Sequence, residues 1–231
     1  MPRPLIYAHR GSSFDHPENT RAAFMAAIAD GADGIECDLR LTKDNQVVIW
    51  HDSSMLRIAN HKAVVAHTEY PELKEIYPNL MLLTELLEIA SEHKKALALE
   101  TKHPVPSGNE VENKILELIK PYKNVEIAVL SFSWLAIEKV VRFETGIETV
   151  ALVNSLNAPI VNRFSSAKSF APSIEEIKNH PEIVAKYKSE GKRVFVWTVN
   201  EVNDLKLCAQ LGVDVVITDM PARAVSELGY P

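Results

Sequence analysis

Short apolar runs alternate along the chain with longer stretches whose apolar residues recur every three or four positions. The runs fall at residues 5–8, 34–39, 96–100, 126–130, 147–153, 165–171, 193–197 and 213–217, and each is short enough to be a buried strand. The stretches between them read as helices at 20–30, 82–93, 110–120, 133–144, 173–190 and 202–211. Gly31 closes the first helix, as a C-terminal glycine does, and Pro181 interrupts or restarts the fifth. In the second, Leu83, Leu86, Leu87 and Ala90 share one face. Eight strands alternating mostly with helices predict an α/β fold of the TIM (β/α)8 type. A doubly wound open sheet competes, but no glycine-rich dinucleotide loop supports it.

Two local patterns refine this expectation. Residues 39–41 and 47–49 are predicted to pair across a turn at Lys43-Asp44-Asn45, which folds His51 back beside Cys37. The polar stretch at about 52–80 reads as a small irregular insertion near the mouth of the barrel. Side chains alternate faces along a strand, so Glu36 and Asp38 point one way and Cys37 the other. Two carboxylates on one face repel unless a cation or a proton lies between them, and oxygen ligands suit a hard divalent ion. In a barrel, strand ends face the catalytic mouth. The strand-end residues are His9, Glu36 with Asp38, Glu100 with Lys102, Ser131, Asn154, Trp197 and Asp219. Glu100 completes a three-carboxylate metal set, and Lys102 on the same face adds positive charge where an anion could bind. Glu36 and Asp38 could otherwise simply pair with Arg10 and Lys102, and Trp197 could be plain packing.

Composition narrows the partners. A chain of 231 residues with 46% hydrophobic and 24% charged residues suits one large domain, 1–231. A net charge of −6 argues against nucleic acid as a partner but leaves a small anionic substrate open. Cys37 and Cys208 offer neither a disulfide framework nor zinc spacing, so both are expected buried, reduced and inert. Met-Pro-Arg-Pro runs straight into the first apolar segment, which leaves no room for a signal peptide, and no apolar stretch is long enough to span a bilayer. A cytoplasmic enzyme without stable membrane insertion is the resulting expectation. Arg57, His61 and His67 are expected to be solvated, and Asn19 and Asp219 to fix loops around the site.

The ordered series His9-Arg10-Gly11, Pro17-Glu18-Asn19-Thr20, Gly31-Ala32-Asp33, Glu36-x-Asp38 and His51-Asp52 resembles the glycerophosphodiester phosphodiesterase family. Glu100-x-Lys102, Ser131-Phe132, Trp197-Thr198-Val199-Asn200 and Ile217-Thr218-Asp219-x-Pro221 extend the resemblance over nearly the whole chain. Two departures stand out: the insertion after His51 looks short, and a Thr-Leu-Glu-Glu pattern is present only as Leu83-Thr84-Glu85-Leu86.

The resemblance implies a TIM barrel that hydrolyses glycerophosphodiesters to an alcohol and glycerol 3-phosphate with a divalent cation, calcium or magnesium. It implies that Glu36, Asp38 and Glu100 hold the metal. His9 and His51 would share the acid and base roles, Arg10 and Lys102 would bind phosphate, and Trp197 would line the substrate pocket. Small soluble glycerophosphodiesters are the expected substrates. Lysophospholipase D action on one-chain lipids is the alternative, and a silent barrel that binds phosphoesters is a second.

Overall fold

A computed structural model describes residues 3–104, 108, 110–143 and 146–229. The chain opens with strand β1 (Leu5–His9) and helix α1 (Arg21–Ala29), followed by strand β2 (Gly34–Leu41). Thr20 caps α1 by accepting from the Ala23 N–H, and Gly31 follows its end with φ +86°, so the expected glycine stop is present. A hairpin returns through β3 (Val47–Ile49), and two short helices, α2 (Leu56–Ala59) and α3 (Tyr70–Ile76), lead to β4 (Met81–Leu82). Helix α4 (Leu83–His93) then leads into β5 (Ala96–Thr101) and α5 (Glu110–Leu118). The remaining units are β6 (Ile127–Ser131) with α6 (Trp134–Arg142), β7 (Glu148–Val153) with α7 (Ala158–Phe164), and β8 (Ser169–Pro172) with α8 (Ile174–Asn179) and α9 (Glu182–Ser189). Strand β9 (Arg193–Val196), helix α10 (Val202–Leu211), strand β10 (Val215–Thr218) and helix α11 (Pro221–Glu227) complete it.

Eight of the ten strands run parallel in the order β1-β10-β9-β8-β7-β6-β5-β2, and β1 pairs with β2 to close the ring. This is the expected TIM barrel. Strands β3 and β4 extend β2 on the outside, with Leu39 opposite Ile49 and Leu41 opposite Val47, the predicted register. Among the described residues, no helix is long and apolar enough to cross a membrane.

Three apolar layers hold these elements. Tyr7, Ala98, Leu130, Val150, Phe195 and Val215 fill the inside of the barrel. Two outer clusters lie between strands and helices, one around Phe24, Leu86 and Ile115, the other around Ile177, Val194 and Leu205. The inward residues share one parity along each strand. Followed toward the mouth, that parity leads from Tyr7 to His9, from Ala98 to Glu100, and from Phe195 to Trp197. Apolar layers below and charged groups above therefore come from one alternation.

The structure corrects three expectations. Residues 52–80 are not irregular: Trp50, Met55, Val65, Leu73 and Leu80 form a buried core of their own beneath α2 and α3. Helix α7 was not expected, because only Val161 in it is buried while Ile160 and Phe164 stay exposed, which leaves no helical stripe to read. An asparagine turn starts it, with Asn154 Oδ1 accepting from the Leu156 and Asn157 N–H groups. Strand β8 consequently begins at Ser169 rather than at Ser165. The end expected for α6 at Glu144 lies outside the described residues.

Gly34 is where the barrel interior leaves no room. A Cβ there would meet the Tyr7 ring at 2.7 Å, so Gly34→Ala is expected to destabilise by roughly 1–3 kcal/mol through overpacking. Urea unfolding measures this, and an unchanged midpoint would contradict the close approach.

Candidate active site

Strand β2 delivers Glu36 and Asp38 to the mouth, and β5, whose Glu100 pairs with Asp38 in the ladder, delivers the third carboxylate. All three are buried, and each offers an oxygen within 4.8 Å of the others. Two cations partly offset this charge. Arg10 Nε lies 3.0 Å from Asp38 Oδ2, while Lys102 Nζ lies 2.8 Å from Asp38 Oδ1 and also donates to Glu100. Asn19 donates to Asp38 from Nδ2 at 2.8 Å, and the Arg10 backbone N–H donates to Glu36 Oε2 at 3.1 Å. Arg10 does so from a left-handed backbone, φ +56°, which costs a non-glycine residue about 1–2 kcal/mol.

The three carboxyl groups do not share that compensation evenly. Burial opposes ionisation of Asp38, but Lys102 and Arg10 outweigh it and hold its pKa far below the ordinary carboxylate range. Glu36 is pushed up to about 8, by burial first and by Asp38 second. Burial likewise raises Glu100, with Lys102 opposing it and Asp38 adding to it. Glu36 Oε1 is buried with no hydrogen-bond partner. Three clustered oxygen donors, one of them orphaned, suit a hard divalent cation, so the residues fit the ion that the sequence implies.

Two imidazoles face the same cavity. Asp219 Oδ1 lies 2.6 Å from His9 Nδ1 and accepts from Ser13 Oγ at 2.9 Å, while its Oδ2 accepts from Asn200 Nδ2 at 2.6 Å. Burial works to lower the His9 pKa, but Asp219 and Glu36 prevail and raise it. His51 Nδ1 lies 2.7 Å from Asp52 Oδ1, and Arg40 Nε donates to the His51 carbonyl at 2.9 Å. Burial lowers the His51 pKa, aided by Lys102 and Arg10, although Asp38 and Asp52 oppose it. The two histidines thus have carboxylates on Nδ1 and pKa values displaced in opposite directions.

The cavity measures about 280 Å³ and has two unlike walls. His9, Arg10, Glu36, His51, Glu100 and Lys102 make the polar one. Leu130, Phe132, Leu152, Trp197 and Ile217 make the apolar one. Trp197 donates from Nε1 to the Ala171 carbonyl at 2.7 Å and meets the Phe132 ring edge-on at 5.3 Å.

All eight residues named from the sequence as metal-, proton- or substrate-handling groups therefore lie around this cavity, Asp38 from just behind it. Asn19 and Asp219 support it from behind, as expected. Ser131 and Asn154 do not reach it: Ser131 donates to the Thr101 carbonyl and Asn154 organises the turn before α7. His61 and His67 are exposed. Arg57 is exposed as expected, but its guanidinium is engaged by both Asp52 and Glu18. Cys37 is buried on the far side of β2, its thiol pKa raised by burial. The supporting role of Ser13 had no sequence signal, and Glu18 and Asn200 lie in the Pro17–Thr20 and Trp197–Asn200 motifs without a role being read for them, whereas His51-Asp52 carried a signal in its adjacency.

A barrel with buried carboxylates, two carboxylate-backed imidazoles and paired cations at its mouth has the make-up of a metal-assisted phosphodiester hydrolase. Residues 9–223 match the glycerophosphoryl diester phosphodiesterase family, and the chain belongs to that family. It is 30% identical over 252 residues to a probable glycerophosphodiester phosphodiesterase 1 of Mycobacterium tuberculosis, spanning 95% of this chain and 90% of that protein. A glycerophosphodiester phosphodiesterase of Bacillus altitudinis is 31% identical, spanning 95% and 96%. The crystal structure of a glycerophosphodiester phosphodiesterase from Thermotoga maritima superposes with a TM-score of 0.85 at 27% identity, covering 98% of this chain and 99% of that one.

If the three carboxyl groups hold a cation, the raised Glu36 pKa would make its binding pH-dependent. Glu36 must lose its proton to act as a ligand, so affinity should rise toward pH 8 and fall about tenfold for each unit below it. Calorimetric titration with calcium or magnesium between pH 6 and 9 reads this slope. Glu36→Gln should weaken binding and flatten the dependence, and a wild-type affinity independent of pH would contradict the assignment.

Proposed function

We infer that the chain hydrolyses glycerophosphodiesters to an alcohol and sn-glycerol 3-phosphate, with His9 as general acid and His51 as general base. The observation that carries this reading is the pair of imidazoles, each with Nδ1 on a carboxylate, displaced in opposite directions beside three clustered carboxylates. Displaced pKa values divide acid from base. Against the effect of burial, Asp219 and Glu36 raise the His9 pKa toward the imidazolium form, from which it would deliver a proton at Nε2 to the departing alkoxide. Burial lowers the His51 pKa toward the neutral form, and with Nδ1–H donated to Asp52 its Nε2 lone pair would take a proton from the attacking hydroxyl.

The substrate is anionic, and its charge must be met. Arg10 and Lys102, the two cations on the polar wall, would pair with the non-bridging phosphate oxygens, Arg10 in the bidentate manner that guanidinium allows. Glu36, Asp38 and Glu100 would hold calcium or magnesium, which when bound supplies Lewis-acid stabilisation of charge building on the phosphoryl oxygens. Once Glu36 gives up its proton, the bound cation would offset the charge repulsion between it and Asp38. Trp197 and Phe132 would cover the glycerol or the alcohol carbon and keep water from that wall. One large domain holding the whole site accords with these residues coming from strands at both ends of the chain.

Purified protein with calcium or magnesium should release glycerol 3-phosphate from glycerophosphocholine or glycerophosphoethanolamine, and chelator should abolish it. His9→Ala and His51→Ala should each lower kcat by roughly 10²- to 10⁴-fold. Full activity in either variant would remove the role given to that residue.

One observation favours a second substrate reading. A few residues along the chain from Phe132 and Leu152 on the apolar wall, Leu135 and Leu156 follow the ends of β6 and β7 and are 57% and 89% exposed. A single acyl chain of a lysophospholipid could lie there. Turnover of lysophosphatidylcholine at or above that of glycerophosphocholine would favour this reading. A preference for the soluble substrate of about tenfold or more would exclude it.

A further inference from the structure

Arg57, on α2, stands where two halves of the site meet. Its guanidinium forks onto Glu18, with Nη1 2.9 Å from Oε2 and Nη2 2.7 Å from Oε1. Its Nε donates to Asp52 Oδ2 at 2.6 Å. Glu18 Oε1 also accepts from Arg10 Nη1 at 3.0 Å, and Asp52 Oδ1 takes the Nδ1–H of His51 at 2.7 Å. The result is an unbroken relay, Arg10–Glu18–Arg57–Asp52–His51, running from a phosphate-facing cation to an imidazole. Its members come from the loop after β1, the segment after β3 and the insertion, three stretches that no regular ladder joins at this point.

Stability alone does not account for this arrangement. The Arg57 side chain is 48% exposed, and solvent that reaches a charge network this far keeps its contribution to the fold modest. What the fork does is geometric. Glu18 and Asp52 are two carboxylates brought together on one side of the mouth, and each holds a functional group by its other contact. A planar guanidinium with three N–H donors engaged sets the spacing between them, which the point charge of a lysine cannot do. Without it the two carboxylates would repel. Glu18 would then be free to draw Arg10 from the phosphate, and Asp52 to release the His51 tautomer that presents Nε2 to the cavity.

We propose that Arg57 is a positioning residue for phosphodiester hydrolysis, holding Glu18 and Asp52 at a fixed separation so that Arg10 and His51 address the same phosphoryl group. The catalytic consequence rests on the hydrolytic reading above, whereas the geometric one does not. The insertion carrying Arg57 thus takes part in the reaction and does not merely border it.

The test uses the full chain loaded with calcium or magnesium and glycerophosphocholine as substrate. Arg57→Ala should keep the wild-type melting temperature while kcat falls about 10- to 100-fold and KM rises several-fold. Arg57→Lys should keep the charge and remain impaired, because it cannot fork. Guanidinium ion at non-denaturing concentration should restore part of the Arg57→Ala rate, and methylammonium should not. Imidazole ¹H–¹⁵N spectra supply a readout that needs no turnover. His51 should be held as the Nδ1–H tautomer in the wild type and become a mixture in Arg57→Ala. Wild-type kinetics and an unchanged tautomer in Arg57→Ala would overturn the proposal. So would a loss of rate that follows a fall in melting temperature and resists guanidinium. If Arg57→Ala does not fold, Arg57→Lys decides the matter, and a lysine variant with wild-type kcat would overturn it. Absence of glycerol 3-phosphate release by the wild type would refute the hydrolytic reading instead, and the tautomer comparison would still judge Arg57.

Discussion

Three buried carboxyl groups crowded at the mouth of the barrel set the terms for everything around them. Like charges a few ångströms apart repel far more strongly in a water-poor environment than in solvent, and burial itself disfavours each ionised carboxyl. The protein answers with Arg10 and Lys102 and with the amide of Asn19, yet Glu36 still keeps a proton near neutral pH. The fold therefore tolerates an unresolved electrostatic problem at its centre. An incoming cation or phosphate changes that balance more than a rearranged backbone could, which lets a rigid scaffold respond to ligands.

Strand alternation is what brings the problem into being. The parity that packs Tyr7, Ala98 and Phe195 into the barrel floor also aims His9, Glu100 and Trp197 at the mouth. That periodicity was legible in the bare sequence, as was the hairpin register that returns His51 toward β2. Glu36-x-Asp38 and Glu100-x-Lys102 could be read for the same reason, since a two-residue step on a strand fixes which groups share a face. Local rules reach this far because barrel strands obey a single geometry.

What could not be read depends on contacts without a local rule. The pairing of Arg57 with Glu18 joins residues 39 apart, one on the short helix α2 and the other in the loop after β1, and no spacing announces it. Arg57 looked solvated because half of it is solvated, while its donors are engaged. Asn200 meets Asp219 through the turn between β9 and α10, where the amide both donates and accepts. Helix α7 escaped notice for the opposite reason. It buries a single apolar residue and leaves others in water, so its sequence carries no periodic signature.

The bond between His9 and Asp219 joins residues 210 positions apart, one at the end of the first strand and the other just past the last. Ring closure and the readiness of this imidazole are consequently one event. During synthesis the three carboxyl residues, all in the first half of the sequence, emerge long before Asp219 can reach His9. Catalytic competence would arrive late and abruptly, with the final strand, and an emerging or truncated polypeptide would be kept inert by topology alone.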